Sequence, residues 1–365
     1  MSAAFDCMVG FTLQGGCSMA QARIFGYDLV RAVAIFFVVA VHCRVVVDTG
    51  STIGNLWFLA CGTLFFAGNA LFFMMSGKFN LRVREGDAAL KKFYRSKARN
   101  IIVPVLVYFL IRTVYDLWGN WQGMGHAAAY FVKGSLSDFA SIEYWFVFTL
   151  VGFLLVAPFL ARAFDGMSDF EVKVFIGIGI GFNTVLTVLD NAGIGFSWGY
   201  LFSGFGFAFC LGVLIERFAS DPKVRRALKW AVLVCFVLNV AVQYAGFSLY
   251  AYETSPLYTI MAVGLYLALL DWGEKLPKFS FVSFVAKHSF GIYLCHMMVL
   301  LAIQKFFMFD QGLSTMGVHV LLSVVAFALS LAAAWLIDST AVKGAKAVFD
   351  AAFGWFDKKK EADLC

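Results

Sequence analysis

Ten runs of apolar residues, each long enough to cross a hydrocarbon core of roughly 30 Å, divide this chain from end to end. They lie at about 24-47, 56-79, 101-119, 144-164, 172-190, 197-217, 229-247, 256-271, 288-309 and 316-338. A soluble domain has no core large enough for them. The composition agrees, with 61% hydrophobic residues, 14% charged and a mean hydropathy of +0.80. In lipid, backbone N–H and C=O groups must be satisfied within the protein, so each run is expected to be a helix. The expected fold class is therefore all-α integral membrane, with about ten transmembrane helices.

Basic residues alternate between the connecting segments. Arg23 precedes the first run, and Lys78, Arg82, Arg84, Lys91, Lys92, Arg95, Lys97 and Arg99 follow the second. Arg162 and Lys173 follow the fourth, Arg217, Lys223, Arg225, Arg226 and Lys229 the sixth, and Lys275, Lys278 and Lys287 the eighth. Lys343, Lys346, Lys358, Lys359 and Lys360 follow the tenth, whereas only Arg44, Lys133 and Lys305 fall on the opposite side. One missed or extra span would scramble this pattern, so the positive-inside rule places both termini in the cytoplasm. The chain divides into a cytoplasmic tail at 1-23, a transmembrane domain at 24-338 and a cytoplasmic tail at 339-365. The net charge of +6 belongs to the inner face, next to membrane lipids, and does not call for a nucleic-acid partner.

Residues 1-22 lack the charged and apolar regions of a signal peptide, so the first span is expected to be retained. The eight cysteines, at 7, 17, 43, 61, 210, 235, 295 and 365, form no CxxC pair, and no metal site is expected. A Cys43–Cys61 bridge is conceivable from their positions near the outer ends of two spans. Gly177, Gly179 and Gly181 do not make a nucleotide loop and read as helix-packing residues.

Within the first run, Arg31 and His42 are separated by eleven positions, close to three helical turns. They share nearly one face, roughly 16 Å apart along the axis. Ionisable groups at membrane depth are costly, and a cofacial pair points to function.

Four segments in order carry a resemblance. Arg31 followed after ten residues by His42 is the first, and Phe72-Phe73-Met74-Met75-Ser76-Gly77-Lys78-Phe79 the second. The others are Tyr94-Arg95-Ser96-Lys97-Ala98-Arg99-Asn100-Ile101-Ile102-Val103-Pro104 and Ser289-Phe290-Gly291-Ile292-Tyr293-Leu294-Cys295-His296. Together they resemble the integral-membrane acyltransferase-3 family, including its O-acetyltransferases. The resemblance implies ten transmembrane helices, cytoplasmic acyl-CoA (usually acetyl-CoA) as donor, and O-acylation of a sugar or cell-envelope glycan. It also implies a multi-pass protein of a bacterial inner membrane. The family's usual Ser-Gly-Phe reads Ser76-Gly77-Lys78-Phe79 here, with a lysine inserted.

Acyl transfer to a hydroxyl needs a base that titrates near neutrality, which histidine supplies. His42 is the candidate, as base or as a transient acyl carrier, against the alternative of a histidine packed between helices. Arg31, nearer the inner face, would hold a thioester carbonyl or a CoA phosphate, or pair with Asp28. Arg95 and Arg99, one turn apart, would converge on the CoA phosphates or else serve only topology. Ser76 and Gly77 are expected to form a turn that admits backbone to the ligand, or a helix end. His296 is placed near the inner end of its span and read as a structural partner, and Arg112 and Asp116 as an ion pair. The reading from a different class is a transporter, for which broken helices and internal repeats would be the usual signs.

Overall fold

The computed structural model describes residues 24-135, 144-194, 204-247, 255-306 and 315-362, and the regular structure among them is entirely helical. Helix α1 (Phe25–His42) passes into a 3-10 turn at Cys43–Val46. The second span is α2 (Thr52–Phe65) followed by α3 (Ala67–Asn80), with a break in the helix at Phe66. Helix α4 (Gly86–Lys97) continues through a π turn at Ala98–Ile102 into α5 (Val103–Asp116). Then come α6 (Met124–Ser135), α7 (Trp145–Asp165), α8 (Asp169–Asn191), α9 (Gly204–Phe218) and α10 (Pro222–Tyr244). Last are α11 (Pro256–Lys275), α12 (Ser280–Phe306), α13 (Thr315–Ile337), a π turn at Asp338–Val342 and α14 (Lys343–Ala362).

Nine helical stretches among the described residues are long and apolar enough to cross a membrane. Helix α9 covers the described part of the sixth apolar run, so the described residues of all ten runs lie mainly on helix. The molecule is an all-α, multi-pass membrane protein. Three boundaries differ from the hydropathy reading. The third helix begins at Gly86 because the amphipathic α4 joins α5 without a break in the backbone ladder, and apolar content alone does not register a polar first half. Beyond residue 338 the helix of the last span runs on, through the π turn, as α14. Helix α12 begins at Ser280, eight residues before its apolar run.

Local signals explain several of the starts. Ser168 and Glu171 form a reciprocal cap at α8: the Ser168 hydroxyl accepts the Glu171 amide at 3.2 Å, and the Ser168 amide donates to the Glu171 carboxylate at 2.6 Å. Asp221 caps α10 by accepting the Lys223 amide at 2.8 Å, with Pro222 in the first turn.

Helix α1 is the hub, packed against α2, α3, α11, α12 and α13, with Val30, Ala34, Ile35 and Val38 buried. Lipid tails are as apolar as leucine, so this packing rests on close approach of backbones. Glycine permits it: a Cβ on Gly77 of α3 would lie 1.8 Å from the Phe209 carbonyl of α9, and one on Gly212 of α9 would lie 1.9 Å from the Met74 carbonyl. Of the Gly177, Gly179 and Gly181 run, Gly179 packs this way, against the Phe207 ring, while the other two face open space. Helix α10 presents Leu233, Val234 and Val237 outward, as a lipid-facing helix should.

Candidate active site

A cavity of about 290 Å³ opens between α1, α3, α4, α7 and α12. Arg31 lines it from α1 and Lys97 from the end of α4. Helix α12 contributes Lys287, Ser289, Phe290 and Tyr293, and α3 contributes Phe72, Met75, Ser76, Phe79 and Asn80. Phe146 and Leu150 of α7 close the apolar wall. Three cations thus surround a mostly apolar recess on the lysine- and arginine-rich side of the bundle.

Helices α1 and α12 run side by side in register. The Ser283 hydroxyl donates to Asp28 at 2.7 Å, and each residue lies three positions beyond its helix start. Further along, the rings of His42 and His296 are 5.1 Å apart, seventeen and sixteen positions beyond the same starts. At 1.5 Å per residue, both histidines are about 25 Å into the bundle. Arg31 and Lys287 are both about 10 Å in, and Tyr293 about 20 Å. The cavity therefore runs from a cationic mouth toward the histidine pair.

This corrects the sequence-based depth of His296, which is not near the inner end of its span. Apolar content places the start of α12 too late, because Ser280, Ser283, Lys287 and His288 dilute its first turns. His296 is 1% exposed, and its Nδ1 lies 2.6 Å from the Tyr293 carbonyl. A carbonyl only accepts, so Nδ1 carries the proton and Nε2 holds a lone pair. Nε2 is buried and has no hydrogen-bond partner among the described residues.

The other buried histidines are placed differently. His319 of α13 accepts the Trp57 indole N–H at Nδ1, 3.1 Å away, and meets the Ala40 carbonyl through Nε2 at 3.0 Å. Both nitrogens are occupied, and the ring pins the outer end of α1. His288 lies on another face of α12, where Nδ1 meets Asp338 at 2.7 Å and the Tyr108 hydroxyl donates to the same carboxylate at 2.9 Å.

Ser76 and Gly77 do not form a turn: both lie at the C-terminal end of α3, where the Leu81 amide donates to the Gly77 carbonyl, which is the helix-end alternative. Apolar and small residues here continue the helical ladder to Asn80, and Gly77 serves the α3–α9 contact rather than the cavity. Residues three apart share a helical face, so Ser76 and Phe79 both reach the cavity. The inserted Lys78 points elsewhere and pairs with Glu216 of α9. Phe79 stacks under the Arg31 guanidinium, 5.1 Å from its centre. Asn80 donates to the Ser76 carbonyl at 2.8 Å, while its own carbonyl oxygen is buried and unpartnered among the described residues.

Arg95 and Arg99 do not line the cavity. Arg99 grips Asp350 of α14 through Nε at 2.7 Å and Nη2 at 2.8 Å, and the Arg95 guanidinium sits 4.8 Å over Phe353. Lys97 and Lys287, which do line it, were absorbed into the topology count in the sequence, where a basic residue shows its sign but not its direction. Arg112 and Asp116 are paired at 2.8 Å as expected, and Tyr130 donates to the same carboxylate at 3.0 Å. Burial, then that hydrogen bond, pushes the Tyr130 hydroxyl up to about 12. Cys43 and Cys61 are both free thiols.

Comparison with curated proteins and with solved structures returns no match. The family model described as "Acyltransferase domain" does match, over residues 24-338, which takes in every element that builds the cavity and carries both facing histidines. The chain therefore belongs to the acyltransferase-3 family and is a membrane acyltransferase.

Proposed function

We propose that the protein moves an acetyl group from cytoplasmic acetyl-CoA to a hydroxyl of a sugar or cell-envelope glycan, in the inner membrane of a bacterium. The observation that carries this reading is the alignment of three cations, an apolar recess and a histidine pair along one axis. A cavity of about 290 Å³ suits one arm of a ligand and not the whole of CoA. The pantetheine arm, extended, spans on the order of 16 Å by ordinary bond lengths. That equals the rise from Arg31 to His42, so an acyl carbon at His42 leaves the phosphates level with Arg31, Lys97 and Lys287.

The chemistry then follows from charge and position. Arg31, Lys97 and Lys287 neutralise the phosphates, with Arg95 and Arg99 further out on the same face of the membrane. Asn80 offers its free carbonyl oxygen, and Ser76 its hydroxyl, to polar groups of the arm. Gly77 serves indirectly, by holding α3 close to α9. His42 takes the proton from the acceptor hydroxyl as that oxygen attacks the thioester carbonyl. The C–S bond breaks, the proton passes to the departing sulfur, and the products are an ester and free CoA thiol.

The test uses purified protein in proteoliposomes, with labelled acetyl-CoA on one side and envelope glycan on the other. Label should appear in ester linkage to the glycan, with stoichiometric release of CoA thiol. Movement of a solute without consumption of acetyl-CoA would replace this reading with a carrier.

A further inference from the structure

We infer that His296 is the positioning residue that sets the tautomer of His42, so that a relay runs from the Tyr293 carbonyl through His296 to His42. The inference rests on the reading of His42 as the base and adds a residue to it. Three observations carry it. The Tyr293 carbonyl at 2.6 Å keeps the His296 proton on Nδ1. The His296 Nε2 lone pair is fully buried and lacks a partner among the described residues. The nearby ring is that of His42, with centroids 5.1 Å apart.

Ring nitrogens stand about 1.1 Å from an imidazole centroid, so a turn of the His42 ring brings a nitrogen to about 2.9 Å from His296 Nε2. Nε2 only accepts in this tautomer, so the His42 nitrogen facing it must carry a proton. The other His42 nitrogen is then the lone pair that receives the acceptor's hydroxyl proton. This is the logic by which a base is oriented by a third group in acyl-transfer sites, with a neutral imidazole where a carboxylate often stands. A neutral orienting group suits the burial, since a carboxylate as enclosed as His296, which is 1% exposed, would need its own counter-charge. No proton is consumed at His296. It holds its Nδ1 proton throughout, and the proton taken by His42 goes on to the sulfur.

His319 shows by contrast what a histidine used only for packing looks like here, with both nitrogens engaged. The other charged or titratable groups here include Cys43, Arg44 and His319 around the end of α1, Tyr293 and Cys295 beside His296 on α12, and Tyr144, whose hydroxyl donates to the Leu294 carbonyl. Arg44 is held between the Phe58 and Phe66 rings at 4.2 and 4.9 Å. None of these groups changes in the variants below.

Two variants and one spectroscopic measurement test the relay. His296→Leu fills the space without an acceptor, and His296→Gln places a carboxamide oxygen near the position of Nε2. For His296→Leu, kcat should fall about 10²-fold while acetyl-CoA binding stays within twofold of wild type. A hydrogen bond from His42 to Nε2 favours protonated His42, so its loss lowers the His42 pKa. The acid limb of the kcat/KM profile should therefore move to lower pH. His296→Gln should recover at least part of kcat. A kcat within twofold of wild type and an unmoved acid limb in His296→Leu would overturn the inference, as would a His296→Gln variant no better than the leucine.

Ring-15N histidine spectra of the intact protein in bilayers supply a readout independent of turnover. The chain has five histidines. His296 should give a signal with protonated Nδ1 and bare Nε2 that vanishes in His296→Gln, while His288, whose Nδ1 meets Asp338 and whose Nε2 also lacks a partner among the described residues, keeps its own signal in that variant. Its presence with an inactive wild-type protein would sink the proposed function and leave the tautomer assignment standing. A protonated Nε2 at His296 overturns the relay whatever the activity.

Discussion

His42 and His296 face one another across α1 and α12 with ring centroids 5.1 Å apart, about one turn beyond Tyr293, which is the deepest α12 residue lining the cavity that also carries Arg31, Lys97 and Lys287. The two residues are 254 positions apart in the chain. Their meeting follows from the parallel register of the two helices, already set about three and a half to four turns lower where Ser283 donates to Asp28. His42 is the last residue of α1, where the chain passes into the 3-10 turn at Cys43–Val46.

His42→Gln should abolish acyl transfer and leave acetyl-CoA binding largely intact. Glutamine hydrogen-bonds but does not accept a proton near neutral pH. Arg31→Ala should impair both binding and transfer, because it removes a cation from the mouth and the partner of the Phe79 ring. Transfer of labelled acetyl groups, paired with binding on the same purified variants, separates the two effects. Wild-type turnover in His42→Gln would make the histidine structural.

Donor affinity should rank the basic residues by their place in the cavity. Lys97→Ala and Lys287→Ala should each weaken acetyl-CoA binding at least tenfold, since a charge-assisted contact contributes about 1.5-3 kcal/mol. Arg95→Ala and Arg99→Ala should weaken it only a few-fold, because Arg99 is already shared with Asp350 and Arg95 lies over Phe353. Calorimetric titration of the four variants gives the order, and a larger loss at Arg99 than at Lys287 would move the phosphate site out to α14.

Gly77→Ala and Gly212→Ala should each lower stability by about 1-3 kcal/mol, since the added methyl meets a backbone carbonyl rather than a side chain that can swing away. Gly181→Ala is the control, because open space surrounds it, and alanine there should be neutral or slightly stabilising. Thermal unfolding in detergent distinguishes the three. Equal melting temperatures would mean that α3 and α9 are not held as closely as described.

A topology reporter fused after residue 90 should be cytoplasmic, and one fused after residue 125 should be exposed on the opposite face. The first site follows the basic segment at Lys78–Arg84 and the second follows the α5 span. Reporters on the same side would break the orientation on which the donor's entry depends.

Hydropathy and charge were enough to determine the helical, membrane-embedded class and the alternation of basic loops, because both follow from the cost of burying polar groups in lipid. The spacing of Arg31 and His42 was legible too, since a single helix converts sequence distance into rise and angle without help from the rest of the chain. The same holds for the Arg112–Asp116 pair, four positions apart on α5. Relations between helices were not legible. Nothing along the chain says that His296 stands beside His42, that Lys287 rather than Arg99 faces the cavity, or that Asp350 returns to Arg99. The π turn at Ala98–Ile102, which carries Arg99 itself, rotates that residue relative to a regular helix and defeats a count by fours. Gly77 shows the same division, since its small size is written in the sequence, whereas the carbonyl that requires it belongs to Phe209, brought close only when α3 and α9 pack. Which helix neighbours which is decided by close backbone approach at such glycines, and that is a property of two surfaces at once.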